Sequence, residues 1–302
     1  MLSLLSIFFM LATGYIAKRT KVIPQSQLII FVDFVVIFAI PAMIFDKIYH
    51  VDIDLHLFGV IICSFASNLA AMFLAFALGI LFKFSKATTA SMALLVLLGN
   101  TLFVGLPILT GYFGEDIANE VIIYDQIVTC LPAAILSPVI LSYAVPNKTT
   151  LIGNVFKVMK FPPFLALVGG ILAKCVELPE LIFVPIRLLA GAMVPVALFA
   201  IGLGLGFGSV KSCVKSTALV LFLGMVISPL IYVGITYLFG ISLSQSYMVG
   251  LIGSAMPPMV LASAMILKAK LDTNLAISSV AIGVCFTFVN VPIIFWLYEM
   301  FK

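Results

Sequence analysis

Asn100 and Thr101 are polar residues inside an otherwise apolar stretch, GNTLFVGLPI at residues 99–108. A second interruption of the same kind, GSAMPP at residues 253–258, contributes Ser254. All three side chains are neutral groups that donate hydrogen bonds, which suits them to orienting an anion rather than to neutralising it. They are therefore the first candidates for a binding site.

Glycine and proline account for both interruptions. Pro107 lacks an amide hydrogen and crowds the carbonyl four residues earlier, and Gly99 relaxes the backbone. Pro257 and Pro258 act in the same way beside Gly253. In lipid a broken helix is tolerated only where protein or water surrounds it. The free amides of each second half-helix would carry partial positive charge and fit a carboxylate; packing kinks alone are the alternative.

Membrane-spanning helices must position these residues. The chain has 302 residues, of which 64% are hydrophobic and 9% charged, with a mean hydropathy of +1.30. Such a composition excludes an ordinary water-soluble domain, and the β-barrel pattern of short alternating segments is absent. Spanning the hydrocarbon takes about 20 residues of helix. The sequence therefore predicts an all-α membrane protein with ten transmembrane helices, at about 2–17, 25–46, 56–82, 89–111, 117–144, 161–176, 181–207, 217–239, 246–267 and 274–298.

The charged residues predict the orientation. Twelve of the 16 basic residues follow odd-numbered spans, while acids dominate the other loops. Because Lys and Arg near span ends stay in the cytoplasm, both termini should face outside in a multi-pass protein of the cell membrane. The net charge of +4 reflects this distribution and predicts no nucleic-acid partner. The five cysteines form no CxxC pair, and the loop HVDIDLH is interpreted as a solvated turn, so no metal or cofactor is predicted.

The chain also contains an internal repeat. GYIAK at 14–18 corresponds to GILAK at 170–174, and the two interruptions begin 85 and 83 residues after these glycines. Five spans are an odd number, so the halves enter the membrane from opposite sides and form a 5+5 inverted repeat, with matched breaks that indicate a transport site. We predict a first repeat over 1–146, a cytoplasmic interfacial linker over 147–160 and a second repeat over 161–302.

Three charged residues lie well inside predicted spans, where charge is costly enough to indicate function: Asp33, Asp125 and Arg187. Asp125 and Arg187 lie at similar depths and could form a latch that opens in each cycle, whereas the depths of Asp33 and Arg187 leave a direct pair open. Asp125 could instead carry a coupling proton, because burial disfavours an ionised carboxylate, or serve the structure. Arg187 could snorkel to headgroups. Asn290 could line the site or bond between helices.

The two breaks, the short linker and the 5+5 plan resemble the auxin efflux carrier family in its compact prokaryotic form, over essentially the whole chain. The resemblance implies a secondary transporter in which spans four and nine cross, similar to the bile acid and sodium/proton antiporter architectures. It also implies a scaffold of spans 1, 2, 6 and 7, often dimeric, and a transport domain of spans 3–5 and 8–10 that moves as an elevator. Family members carry auxin-like anions or small dicarboxylates such as malate and malonate.

We therefore predict a secondary active transporter or uniporter of small organic anions, which binds its substrate between the breaks. A sodium-coupled symporter of the bile acid type is the strongest alternative, although predicted spans four and nine contain no acid. A channel would need a ring of like charges or a repeated filter, and an enzyme would need a nucleophile, base or metal set. The sequence shows neither the features of a channel nor those of an enzyme, and it lacks a nucleotide-binding P-loop.

Overall fold

A computed structural model describes residues 2–50, 56–144, 160, 162–206 and 210–301. The predicted linker at 147–160 lies outside these residues apart from Lys160, as does most of the HVDIDLH loop. Twelve helices form the described chain. They are α1 (Leu2–Arg19), α2 (Gln25–His50), α3 (His56–Leu81), α4 (Lys86–Leu97), α5 (Thr101–Phe113), α6 (Glu115–Ser142), α7 (Pro162–Ala173), α8 (Glu180–Gly204), α9 (Val214–Leu238), α10 (Gln245–Ser254), α11 (Val260–Lys268) and α12 (Thr273–Phe301).

Six of these helices are long and apolar enough to cross a membrane: α2, α3, α6, α8, α9 and α12. Helices α4, α5 and α7 are shorter but also apolar. The protein is therefore a multi-pass membrane protein. The predicted second span, 25–46, ends four residues before the helix does, because α2 continues to His50 and so has Asp46 one turn before its end.

Prolines widen four of the helices. Each segment of π-helix ends two residues before a proline: Val35–Ala39 before Pro41, Thr101–Gly105 before Pro107, Asp125–Cys130 before Pro132, and Leu223–Ile227 before Pro229. Proline has no amide hydrogen to donate and its ring clashes with the carbonyl four residues earlier, and a wider turn relieves both problems. Residues five apart then come to lie on the same side of the helix.

Small residues allow close packing of α1 on α8 and of α7 on α2. Gly14 of α1 lies against the carbonyl of Phe199 so closely that a methyl group would overlap it. A methyl group on Gly170 of α7 would lie 3.1 Å from the side chain of Ile48. Close approach at small residues is how helices gain packing energy in lipid, where no hydrophobic force joins them.

The remaining helices pack around the junctions between α4 and α5 and between α10 and α11. Helix α3 packs on α4, α9 and α10, and α12 packs on α4, α9 and α11. The last turn of α4 is buried on every side, since residues 94–98 are each at most 5% exposed. Both junctions therefore lie in the interior of the helical bundle.

Candidate functional site

The chain between α4 and α5 lies against the chain between α10 and α11. The Asn100 N–H donates a 2.8 Å hydrogen bond to the Pro257 carbonyl, and the Met259 N–H donates one of the same length to the Leu98 carbonyl. Gly99 and Pro258 form an antiparallel bridge between these bonds. Each interruption thus satisfies part of the backbone of the other, which a buried, water-poor environment requires.

This pairing uses the amides of the two residues that immediately precede the second half-helices. The amides of Asn100 and Met259 are used between the two segments, so they are not available to an anion. The free amides lie at the start of α5 instead. None of the N–H groups of residues 101–103 donates to the carbonyls of residues 98–100, and the first bonds of α5 run from the Val104 and Gly105 amides to the Asn100 carbonyl, because the first residues of a helix have no carbonyl one turn earlier to bond.

A carboxyl group lies at this end of α5. The π-helical turn Asp125–Cys130 of α6 packs against the π-helical turn Thr101–Gly105 of α5. The backbone N–H of Leu102 faces the Asp125 carboxyl. The sequence placed Asp125 inside a span, but it did not show that this acid meets the interruption between α4 and α5. That contact depends on how α5 and α6 are rotated against each other.

The Asp125 carboxyl is fully buried and only partly hydrogen-bonded. Its Oδ2 accepts bonds from the Cys130 thiol at 3.3 Å and from Gln126 Nε2 at 3.4 Å. Its Oδ1 has no hydrogen-bond partner among the described residues. The contact between positions 125 and 130 spans five residues, as the π-helical turn before Pro132 allows.

Other buried polar atoms beside the interruption also lack partners within the described chain. These atoms are the side-chain nitrogen Nδ2 of Asn100 and the hydroxyl oxygen of Thr101, on residues that are 2% and 1% exposed. A buried donor without an acceptor is costly, and such groups in native proteins usually serve a ligand, water or catalysis. Tyr124, which precedes Asp125, packs its ring directly on Gly253 at the end of α10.

Two of the predicted binding residues make structural bonds instead. The Ser254 hydroxyl donates to the Leu251 carbonyl of its own helix at 2.9 Å. Asn290 Nδ2 donates to the Met225 carbonyl at 3.0 Å and approaches the Ala255 carbonyl at 3.5 Å. Asn290 therefore joins α12 to α9 and to the end of α10. This is the hydrogen bond between helices that the sequence offered as an alternative to a place in the binding site.

The prolines also act differently from one another. Pro107 follows the interruption at residues 98–100 by a full turn and widens α5 rather than ending α4. Pro257 and Pro258 lie in the interruption itself and pack on Gly283 of α12, where a methyl group would come within 2.9 and 3.0 Å of them. Glycine at this position lets α12 approach the extended segment.

Arg187 pairs with neither Asp33 nor Asp125 in this structure, so the predicted latch is not formed. Arg187 Nε lies 3.0 Å from Asp46 Oδ1, and its Nη1 lies 3.1 Å from Glu180 Oε2. Asp33 is exposed on the surface of α2. In the sequence, the only indication of this arrangement was that acids dominate the loops that contain Asp46 and Glu180.

His50 completes a charge cluster of Asp46, His50, Glu180 and Arg187. Its Nδ1 lies 2.7 Å from the Asp46 backbone carbonyl, and its Nε2 lies 3.2 Å from Glu180 Oε1. The Arg187 guanidinium also lies 5.6 Å from the centre of the Phe183 ring, within the range of a cation–π contact. The cluster joins the end of α2 to the start of α8.

Comparison with known proteins gives two matches. A family model described as "Membrane transport protein" matches residues 1–158 and residues 148–295. An "Uncharacterized transporter" of Methanothermobacter thermautotrophicus (strain Delta H) is 26% identical over 296 residues, which cover 96% of each chain. Both matches indicate membrane transport rather than enzymatic activity.

Proposed function

The chain belongs to the membrane transport protein family, the auxin efflux carrier type, and we propose that it is a secondary transporter or uniporter of small organic anions. The observation that carries this proposal is the start of α5, where the amides of residues 101–103 precede the first hydrogen bonds of the helix, beside the side chains of Asn100 and Thr101, which have no partner among the described residues. Amide groups at a helix N-terminus and neutral donors together favour a carboxylate. Auxin-like anions and small dicarboxylates such as malate and malonate are the proposed substrates.

The proposed architecture is the 5+5 inverted repeat with crossing interrupted helices. Equivalent contacts in the two halves support it: Gly14 packs on the Phe199 carbonyl, and Gly170 packs beside the Phe45 carbonyl. Phe45 and Phe199 are 154 residues apart, the same offset that separates Asp33 from Arg187. Matched glycines that contact matched phenylalanines of the opposite half are expected of a two-fold repeat.

In this proposal α1, α2, α7 and α8 form the scaffold, through which two copies associate, and the other helices form the transport domain. The pairing of α1 with α8 and of α7 with α2 supports a separate scaffold. Movement of the transport domain against it would carry the site across the membrane as an elevator. Both termini would face outside in the cell membrane, as the distribution of basic residues predicts.

Thermal stabilisation of the purified protein by a panel of anions tests the proposed function. The panel contains malate, malonate, succinate, indole-3-acetate and a bile acid, each measured with sodium and with choline as the cation. We expect a rise in melting temperature with one carboxylate class, since a ligand that binds only the folded state stabilises it. No shift with any anion would contradict an organic anion substrate.

A pair of buried asparagines separates binding from folding. Asn100→Ala should remove most of the anion-dependent shift with little loss of folded protein. Asn68→Ala is the matched control, because Asn68 accepts a 2.8 Å bond from Ser228 within the helical bundle; it should lower stability and leave the shift intact. Equal effects of both variants on folding and on the shift would indicate that Asn100 is structural.

Sodium coupling is the second candidate, and one observation favours it. The absence of an acid from predicted spans four and nine weakened this alternative, but α6 brings the Asp125 carboxyl to the same place. Carboxylate and neutral oxygen atoms are ligands that hard cations prefer. A stabilisation that requires sodium and is lost in choline would favour the symporter.

A further inference from the structure

The geometry points to a specific role for Asp125: its carboxylate competes with the transported anion for the start of α5, and it takes up a proton when the anion binds. This inference rests on the proposed anion transport and names its coupling. It makes the protein a carrier that moves one proton together with each anion bound at this site.

The start of α5 attracts one negative charge. The amides of residues 101–103 precede the first hydrogen bonds of α5, and the helix runs for 13 residues to Phe113, so its first turn carries the positive end of a helix dipole. The Leu102 amide faces the Asp125 carboxyl. An ionised Asp125 therefore occupies the place at which a substrate carboxylate would bind.

No positive side chain balances this carboxylate. Among the described residues, no Lys, Arg or His nitrogen lies within 4.0 Å of an Asp125 oxygen. The titratable groups that face it, Cys130 and Tyr124, belong to α6 itself. From α5 it faces the Leu102 backbone amide, and the α3 side chains that face Tyr124 are an uncharged serine and an uncharged asparagine.

Two adjacent carboxylates cannot both stay ionised in such a site at low cost, because like charges at close range strongly favour protonation of one of them. When the anion arrives, Asp125 takes one proton from solution on its unpartnered Oδ1. The new O–H can donate to the substrate carboxylate, and the Leu102 amide becomes available to the substrate. No other bond forms or breaks, and the site gains one anion and one proton.

Proton uptake on binding tests this directly. The protein is mixed with malonate in weakly buffered solution at pH 7.5 with a pH indicator dye, and binding is measured in parallel by calorimetry. We expect about one proton taken up for each malonate bound by the unchanged protein. Asp125→Asn should bind malonate with no proton uptake from this site. Asp116→Asn, an exposed acid at the start of the same helix, should behave like the unchanged protein.

The affinity gives a second readout that does not depend on the variant. Because binding takes up a proton, malonate affinity of the unchanged protein should fall about tenfold for each unit of pH above the range in which Asp125 titrates. Asp125→Asn should lose this dependence. Malonate binding without proton uptake, or with sodium uptake in its place, would overturn the inference and leave anion transport standing. Failure of every carboxylate to bind at any pH would overturn both.

Discussion

Asp46 and Asp125 are both buried acids in the helical bundle, but their surroundings differ. Asp46 is 8% exposed and has the Arg187 guanidinium at 3.0 Å, with His50 beside it. Asp125 is 0% exposed and has a thiol and a side-chain amide for partners. The first carboxylate therefore has a cationic partner, whereas the second has none among the described residues.

The positions of the two acids explain their surroundings. Asp46 lies near the end of α2, where Arg187 of α8 supplies a base. Asp125 lies inside α6 against an interrupted helix, where its partners are a thiol, a side-chain amide and the Leu102 backbone amide. Acids inside membrane proteins that lack a basic partner commonly mark ion or proton pathways. The paired carboxylate of Asp46 joins α2 to α8, whereas the unpaired carboxylate of Asp125 is available to bind a coupling proton.

The largest expected effect comes from removing the partner of the paired acid. Arg187→Met leaves Asp46 without its guanidinium partner and should lower the melting temperature, by an amount that solvent screening limits because 47% of the Arg187 side chain is exposed. Thermal or denaturant unfolding in detergent measures it. Arg19→Met, a change to the exposed arginine at the end of α1, should have little effect.

A double variant sharpens this result. Asp46→Leu combined with Arg187→Met removes both charges and should recover most of the lost stability, because the cost arises from an uncompensated buried carboxylate. If the double variant is as unstable as the single one, packing of the Arg187 side chain on Phe183 is more important than its charge.

The second effect concerns the unpaired acid. In proteoliposomes, an inward-directed pH gradient of one unit should drive about tenfold accumulation of malonate by the unchanged protein, since one pH unit is worth 1.36 kcal/mol per proton. Asp125→Asn should allow equilibration without accumulation. Unchanged accumulation by this variant would show that the distinction between the two acids is wrong.

The third effect concerns the π-helical turn that holds Asp125. Pro132→Ala restores an amide donor and lets α6 return toward a regular α-helix, in which residues 125 and 130 no longer share a face. We expect a shift of roughly threefold to tenfold in malonate affinity, as for loss of about 1 kcal/mol from one hydrogen bond. Pro138→Ala, a change later in the same helix where no π-helical turn precedes the proline, is the control.

The smallest effect is expected from the thiol. Cys130→Ala removes the bond to Asp125 Oδ2 and leaves Gln126 in place, so malonate affinity should change by about threefold or less. The pH dependence of affinity should remain, because the carboxyl is still present. A loss of pH dependence in this variant would assign the proton to the thiol rather than to Asp125.

Much of the fold could be predicted because its signals are local. Hydropathy and the length of apolar stretches predicted helices in a membrane, and the family resemblance was confirmed over the whole chain. The residues GNT and GSAMPP pointed to the region that now carries the unpartnered donors. The contacts of the candidate site could not be predicted: the Ser254 hydroxyl and Asn290 Nδ2 donate to backbone carbonyls, and the amides of Asn100 and Met259 bond between the interruptions.

The sequence by itself determined that this protein is a helical membrane protein and where glycine and proline weaken its helices. It also determined that one acid, Asp125, falls inside an apolar helix. These features follow from composition and from backbone effects that extend over only one or two helical turns. Only the tertiary structure decided that the interruptions bond to each other, that Asp125 faces the start of α5, and that Arg187 meets Asp46. Such contacts depend on the rotation and crossing of helices far apart in sequence, and no local pattern encodes them.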